Sequence, residues 1–151
     1  MFVLLRQLAR IRRGERLPSG DPRWLAIRHV DAGSCNGCEH ELGAITNPYH
    51  DLQRHGLDIV ASPRHADVLL ITGPVTTRMA GPLITAYRAM PEPRLVAALG
   101  DCALGCNVLG HAPELAARLE VLLPIDIRIP GCPPTPDAIA QQLLAALTVK
   151  S

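Results

Sequence analysis

Residues 24–41 read WLAIRHVDAGSCNGCEHE. The stretch begins with a mainly apolar run that ends at Asp31, which is typical of a short buried strand. A glycine-containing loop follows, and a helical stretch begins near residue 37. A strand that enters a loop and then a helix is the opening of a β-α-β unit. This stretch therefore predicts an α/β fold, and it places Cys35 and Cys38 in the loop after the first strand.

The rest of the chain repeats this alternation of strand and helix. With the first strand at residues 24–30, further apolar runs bounded by Gly, Pro or Asp predict strands at residues 57–61, 67–72, 94–99 and 125–129. Helices are predicted at about residues 37–46, 48–55, 78–90, 113–120 and 136–148. Near-continuous apolar strands that alternate with helices predict a parallel sheet with helices on both faces.

Length and composition exclude several classes of protein. The 151 residues fit one domain, and a hydrophobic content of 48% argues against a disordered chain. A formal net charge of +1 argues against nucleic-acid binding driven by bulk charge. No window approaches 18 uninterrupted apolar residues, and residues 1–13 lack a secretory signal. We therefore expect an intracellular protein with reduced cysteines.

Positive charge is concentrated at the amino terminus, where residues 1–28 hold seven arginines and two acidic residues. Apolar residues recur at helical spacing over residues 2–13, which predicts a short basic amphipathic helix. Two interpretations stay open: the helix lies on an anionic membrane or a partner, or it is a solvated terminal helix. The predicted organisation is a basic arm, residues 1–22, followed by one domain, residues 23–151.

Cysteines follow three of the predicted strands. Cys35 and Cys38 follow the first, Cys102 follows the fourth and Cys132 follows the fifth. The carboxyl ends of parallel strands meet at one edge of the sheet, where ligands bind in folds of this kind. Four thiolates there predict a metal site, with a [4Fe–4S] cluster, zinc and no metal as the alternatives. One close pair plus two distant single cysteines favours the cluster, because zinc ribbons use two close pairs.

Cys106 is the fifth cysteine, four residues after Cys102. It is either an alternative third ligand or a small buried hydrophobic residue. A thioredoxin-like interpretation of Cys35 and Cys38 as a redox pair leaves Cys102 and Cys132 unexplained.

Polar residues near the cysteines have simpler interpretations. Glu39 is interpreted as a capping or surface residue, His29 as a core histidine with a hydrogen-bond partner, and Asp101 as a turn residue. Residues 73–77 (GPVTT) follow a strand and open a helix, where free N–H groups can receive an anion. The chain has no G-x-G-x-x-G or Walker sequence, which argues against nucleotide or flavin binding.

Four blocks of the sequence together resemble a known family. They are RHVDAGSCNGCEHE at 28–41, ADVLLITGPVTT at 66–77, GDCA at 100–103 and PGCPP at 130–134. In this order they resemble the small subunit of membrane-bound, energy-converting [NiFe] hydrogenases. That subunit is similar to the 20 kDa subunit of complex I. The resemblance covers about residues 24–148.

The resemblance implies a flavodoxin-like domain with one [4Fe–4S] cluster, whose ligands map onto Cys35, Cys38, Cys102 and Cys132. It implies an oxidoreductase subunit that is not catalytic alone and that exchanges electrons with the active site of a hydrogenase-type large subunit. Further implied partners are a ferredoxin-like or other iron–sulfur subunit and membrane subunits, on the cytoplasmic side of the membrane. No nucleic acid is expected.

Two departures from the family pattern bear on this expectation. Complex I members have adjacent cysteines where this chain has Cys35 and Cys38, which places the chain nearer the hydrogenases. The family commonly continues from the third ligand into a Gly-Gly turn, whereas this chain continues to Cys106, so the choice between Cys102 and Cys106 stays open.

The resemblance also assigns Glu41 a role at the subunit interface or in proton transfer; the alternative is a first-turn acid favoured by the helix dipole. Two further functions stay open: a complex-I-like quinone reductase module with the same cluster, and a scaffold that holds zinc or no metal.

Overall fold

The computed structural model describes residues 24–106 and 112–150, the last four of these through the backbone alone. These residues form five strands: β1 (Leu25–Asp31), β2 (Leu57–Ile59), β3 (Val68–Thr72), β4 (Leu95–Leu99) and β5 (Ile127–Ile129). Within the same residues there are four α-helices: α1 (Gly37–Ala44), α2 (Thr77–Ala89), α3 (Leu119–Leu122) and α4 (Pro136–Lys150). Each predicted strand is present, with bounds that differ by at most two residues at either end.

The five strands form one parallel sheet in the order β2-β1-β3-β4-β5. This is the flavodoxin-like order, so the predicted fold is confirmed. All five residues of β3 are buried, because β3 is central and is covered on both faces. From β1 the chain moves to β2 at one edge and then returns to β3 on the other side. The resulting crevice lies at the carboxyl ends of the strands.

Apolar side chains form a separate core on each face of the sheet. One core joins β1 and β3 to α1 and α4; it includes Leu25, Ile27, Leu70, Leu42 and Leu143. The other joins β3 and β4 to α2 and α3; it includes Leu69, Ile71, Val96, Leu83 and Leu119. Helices pack on both faces of the sheet and bury its apolar side chains, as the sequence predicted.

Two predicted helices are wrong in extent. Of residues 48–55, only Leu52–His55 forms a 3-10 turn. Upstream of that turn, the side-chain oxygen of Asn47 accepts the N–H groups of Tyr49 and His50, and this turn replaces a helical start.

Of residues 113–120, only the last two are helical, since α3 begins at Leu119. The preceding backbone pairs instead with the residues before α2: Thr76 and Leu115 form an antiparallel bridge, and the N–H of Ala116 donates to the Val75 carbonyl at 2.8 Å.

The predicted basic arm, residues 1–22, lies outside the described residues. Within the described part of the chain, no helix is long and apolar enough to cross a membrane.

Candidate metal centre

Three loops at the carboxyl end of the sheet carry the cysteines. The first cysteine loop (residues 31–38) extends from the end of β1, the second (residues 100–106) follows β4, and the third (residues 130–134) follows β5. Four thiols line a cavity of about 130 Å³ between these loops: those of Cys35, Cys38, Cys102 and Cys132. The structure therefore brings together the four cysteines that the sequence predicted as ligands.

The first cysteine loop is braced from within. The carboxylate of Asp31 accepts hydrogen bonds from the N–H groups of Gly33 and Ser34, both at 2.8 Å. An aspartate that bonds the backbone two and three residues ahead fixes a tight turn by local interactions alone. The turn leaves Cys35 exposed, while Cys38 is buried in the first turn of α1.

The second and third cysteine loops are braced by each other. The N–H of Asp101 donates to the carbonyl of Gly131 at 2.9 Å, and the carboxylate of Asp101 accepts the N–H of Gly131 at 2.8 Å. This reciprocal pair fixes Cys102 relative to Cys132. Asp101 lies in the predicted turn, where its carbonyl accepts the N–H of Cys106 at 2.9 Å, and its carboxylate in addition bonds a different loop.

Two glycines allow the loops to approach the cavity closely. A Cβ at Gly100, which has φ 87°, would lie 2.6 Å from the Sγ of Cys38. A Cβ at Gly73, which has φ 73° and follows β3, would lie 2.4 Å from the backbone nitrogen of Ser34. Both positions therefore combine a left-handed backbone with a lack of space, and only glycine meets both conditions.

The turn at residues 73–77 uses two of its N–H groups within the fold. The N–H of Thr76 donates to the carbonyl of Ala32 at 3.0 Å, and the N–H of Thr77 donates to the carbonyl of Glu114 at 2.9 Å. These two groups are not available to an anion at the predicted site.

The thiol of Cys38 is the most buried of the four. Burial raises its pKa to about 11, and electrostatic repulsion from Glu39 and from the Cys102, Cys35 and Cys132 side chains adds to the rise. The four sulfurs therefore lie close enough to act on one another as parts of one site. Metal binding at such a site requires the thiols to lose their protons.

The chemistry of the donor set fits an iron–sulfur cluster. Four thiols line the cavity, and four thiolates are the usual ligands of a cubane cluster. Four thiolates also suit zinc, which needs them at about 2.3 Å.

Cys106 differs from these four. Its thiol is exposed and lies 3.6 Å from the carbonyl oxygen of Leu104, and it does not line the cavity. The interpretation of Cys106 as a buried hydrophobic residue is therefore wrong. Cys102, four residues earlier, is the cysteine of this loop that faces the other three.

Glu39 is a functional candidate that the sequence interpretation missed. Its carboxylate accepts a hydrogen bond from the Ser34 hydroxyl at 2.5 Å and another from the hydroxyl of Thr72, at the end of β3. The Nε2 of His29 lies 2.9 Å from the Thr72 hydroxyl and 3.5 Å from the Glu39 carboxylate. Glu39 is thus the acceptor at the centre of a network, and its carboxylate also bonds its own backbone N–H in the first turn of α1, as a capping residue does.

The ionised carboxylate of Glu39 determines which groups of this network carry the hydrogens. Burial alone would raise the pKa of Glu39, but the hydrogen bonds from Ser34, from Thr72 and from its own backbone N–H outweigh burial and hold the pKa below its usual value. Because the Thr72 hydroxyl donates to this carboxylate, it accepts from His29, which carries its proton on Nε2. Burial also lowers the pKa of His29 against the opposing charge of Glu39, so the imidazole is neutral at pH 7. The prediction that His29 is a partnered histidine is confirmed.

Glu41 is half-buried on α1, three residues after Cys38. Within the described residues its carboxylate has no hydrogen bond or ion pair, and it does not line the cysteine cavity. Its position leaves it able to meet a group from outside this chain.

Comparison with known proteins gives a consistent set of relatives. The family model described as "NADH ubiquinone oxidoreductase, 20 Kd subunit" matches residues 35–146. The chain is 44% identical over 121 residues to the probable membrane-bound hydrogenase subunit mbhJ of Pyrococcus furiosus. This match covers 80% of this chain and 72% of that protein.

The chain is also 39% identical over 121 residues to formate hydrogenlyase subunit 7 of Escherichia coli. This match covers 80% of this chain and 48% of that protein. It therefore spans about half the length of this second relative. Among solved structures, a chain from the membrane-bound sulfane sulfur reductase, an archaeal respiratory membrane complex, matches with a TM-score of 0.73 at 29% identity. That match covers 85% of this chain and 71% of the other.

Proposed function

The chain belongs to the NADH ubiquinone oxidoreductase 20 kDa subunit family, and on this premise we propose that it is the electron-transfer subunit of a membrane-associated [NiFe]-hydrogenase-like complex. In this proposal Cys35, Cys38, Cys102 and Cys132 hold one [4Fe–4S] cluster. The observation that carries it is the cavity at the carboxyl edge of the sheet, which these four thiols line.

The cluster supplies one-electron oxidation and reduction without making or breaking bonds in a substrate. The chain's own part is to hold and expose it. Asp31 and Asp101 fix the loops that carry the ligands, and Gly73 and Gly100 let those loops close around the cavity. Cys35 and Cys132 are exposed, so electrons can pass between this site and a partner that covers the edge.

The chemical step belongs to a partner. None of the residues that line the cavity pairs a nucleophile with a general base, so we assign no catalytic residue to this chain. In the proposed complex, a hydrogenase-type large subunit interconverts two protons and two electrons with H2. Electrons reach this chain from, or leave it to, a ferredoxin-like or other iron–sulfur subunit.

The proposed location is the cytoplasmic side of the membrane, in contact with membrane subunits of the complex. This rests on the relatives, whose names place them in membrane-bound assemblies. Glu41 is proposed to lie at the subunit interface, in contact with the large subunit or in a proton path. The basic arm, residues 1–22, is proposed to contact a partner or the anionic membrane surface.

A complex-I-like quinone reductase module is the second candidate. The family description favours it, since it names a ubiquinone oxidoreductase subunit. This chain would have the same role in both assemblies, because the same cluster would serve a different partner. The spacing of Cys35 and Cys38 favours the hydrogenase.

Anaerobic isolation of the tagged full chain with its native partners tests the proposal. We expect hydrogen evolution from a reduced low-potential donor. Cys132→Ser should abolish this evolution while the complex still assembles, and Cys106→Ser should leave it at the wild-type level. Quinone reduction without hydrogen evolution would establish the second candidate. A chain that co-isolates with zinc and has neither activity would refute both candidates and leave a scaffold role.

A further inference from the structure

Glu39 lies immediately after the buried Cys38 and is the acceptor of the network described above. We propose that Glu39 holds a fixed negative charge beside Cys38 and thereby lowers the reduction potential of the cluster. This proposal rests on the proposed function and extends it, because it assigns a residue that sets how strongly the site reduces its partner.

The carboxylate is held in place by groups that carry no charge. Ser34 and Thr72 donate hydroxyl hydrogens to it, and the neutral His29 donates a hydrogen bond from Nε2 to the Thr72 hydroxyl. Thr72 is fully buried, and the Glu39 side chain is only 21% exposed. Among the described residues no Arg or Lys forms an ion pair with Glu39. The network therefore orients the charge and keeps it ionised without neutralising it.

The carboxylate of Glu39 lies next to the cysteine cavity. Ser34, whose hydroxyl donates to it, is one of the residues that line the cavity, and Cys38 is the residue before Glu39. An electron added to a cluster bound through Cys38 is negative charge at this place. The fixed negative charge of Glu39 opposes it by electrostatic repulsion.

The consequence for electron transfer has a definite sign. Reduction adds one electron and no proton to a centre that four thiolates already make negative. Net charge, hydrogen bonding and exposure set the potential of such centres. A nearby fixed carboxylate makes reduction less favourable and the reduced site a stronger reductant. That suits exchange of electrons with a strongly reducing iron–sulfur donor.

Glu41 provides the matched comparison, because it is an acid on the same helix two residues further along. It lacks the hydroxyl donors that orient Glu39. Thr72→Val provides a second test, since it removes one donor and keeps the carboxylate. With less hydrogen bonding to offset its charge, the carboxylate should oppose reduction more strongly.

The experiment is a redox titration of the anaerobically purified full chain, with dithionite as reductant and the EPR signal of the reduced cluster as readout. We expect the midpoint potential to shift to more positive values in Glu39→Gln and to shift less in Glu41→Gln. We expect Thr72→Val to shift it to more negative values. A purely structural role would change cluster content but would not give shifts of opposite sign.

The outcomes separate this proposal from the proposed function. A wild-type chain without a cluster would overturn both. A full cluster content with an unchanged potential in Glu39→Gln would overturn the charge role alone. If Glu39→Gln fails to retain the cluster, Thr72→Val decides, and an unchanged or more positive potential in that variant would overturn the proposal.

Discussion

The first and second cysteine loops each carry two cysteines, yet they are built in opposite ways. In the first loop, residues 31–38, both cysteines line the cavity and Asp31 bonds N–H groups of its own loop. In the second loop, residues 100–106, only one of the two cysteines, Cys102, lines the cavity, and Asp101 bonds the third cysteine loop.

This difference teaches how the site keeps its shape. A loop braced from within holds its ligands through local interactions, and its geometry does not depend on its neighbours. Loops braced by each other hold their ligands jointly, so a change in one displaces both. A substitution at Asp101 should therefore displace both Cys102 and Cys132, whereas a substitution at Asp31 should displace only residues of the first loop.

The largest effect is expected when serine replaces one or the other cysteine of the second loop. Cys102→Ser should lose nearly all iron and labile sulfide, because it removes one of four thiolates at the cavity. Cys106→Ser should retain wild-type amounts, because its exposed thiol does not line the cavity. Iron and sulfide assays on anaerobically purified protein measure this. Loss of iron and sulfide in Cys106→Ser with wild-type amounts in Cys102→Ser would show that Cys106, and not Cys102, is the ligand of the second loop.

The next effect is expected from Gly100→Ala. The left-handed backbone there costs about 1–3 kcal/mol with a side chain present, and the new Cβ would press on the Cys38 Sγ from 2.6 Å. We expect lower stability to urea and a reduced iron content.

Gly43→Ala, in α1 after the first loop, is the matched control. No atom lies within 4 Å of its Cβ position, so alanine should stabilise the helix by up to about 1 kcal/mol. Equal losses in both variants would show that the site does not depend on the space at Gly100.

A moderate effect is expected from Asp101→Ala, which removes the hydrogen bond from the N–H of Gly131 to the Asp101 carboxylate between the second and third loops. A hydrogen bond to a charged group contributes about 1.5–3 kcal/mol, and its loss should speed iron release to a chelator. Asp31→Ala removes two bonds, but within an exposed loop, and should speed release less. Faster release from Asp31→Ala than from Asp101→Ala would contradict the distinction between the loops.

The smallest effect is a pH dependence in the cluster-free chain. The pKa of Cys38 rises from 9.0 to about 11 on folding, so its thiol form favours the folded state. This contribution is complete below pH 9 and is lost as the pH rises through 11. Urea unfolding at a series of pH values should show the loss in wild type and a flatter profile in Cys38→Ser. Identical profiles would show that Cys38 is not held as a protonated thiol.

Much of the fold was predictable because its signals are local. Each strand is a short apolar run between turn residues, and the parallel order follows from the alternation with helices. The placement of four cysteines at one edge needed only the rule that carboxyl ends of parallel strands meet.

The contacts between loops were not predictable from local signals. Asp101 and Gly131 are 30 residues apart, and Glu39 and Thr72 are 33 apart. No periodicity or motif records such a pair. The wrong extent of the helix predicted at residues 113–120 has the same origin, because the backbone of residues 114–116 bonds residues 75–77. The one available signal for Glu39 was its place beside a predicted ligand.

The metal content of the anaerobically purified full chain tests the central claim most directly. We predict iron and acid-labile sulfide in equal amounts, four of each per chain, and an EPR signal that develops on reduction. Stoichiometric zinc without labile sulfide would contradict the claim that these three loops hold an electron-transfer cluster.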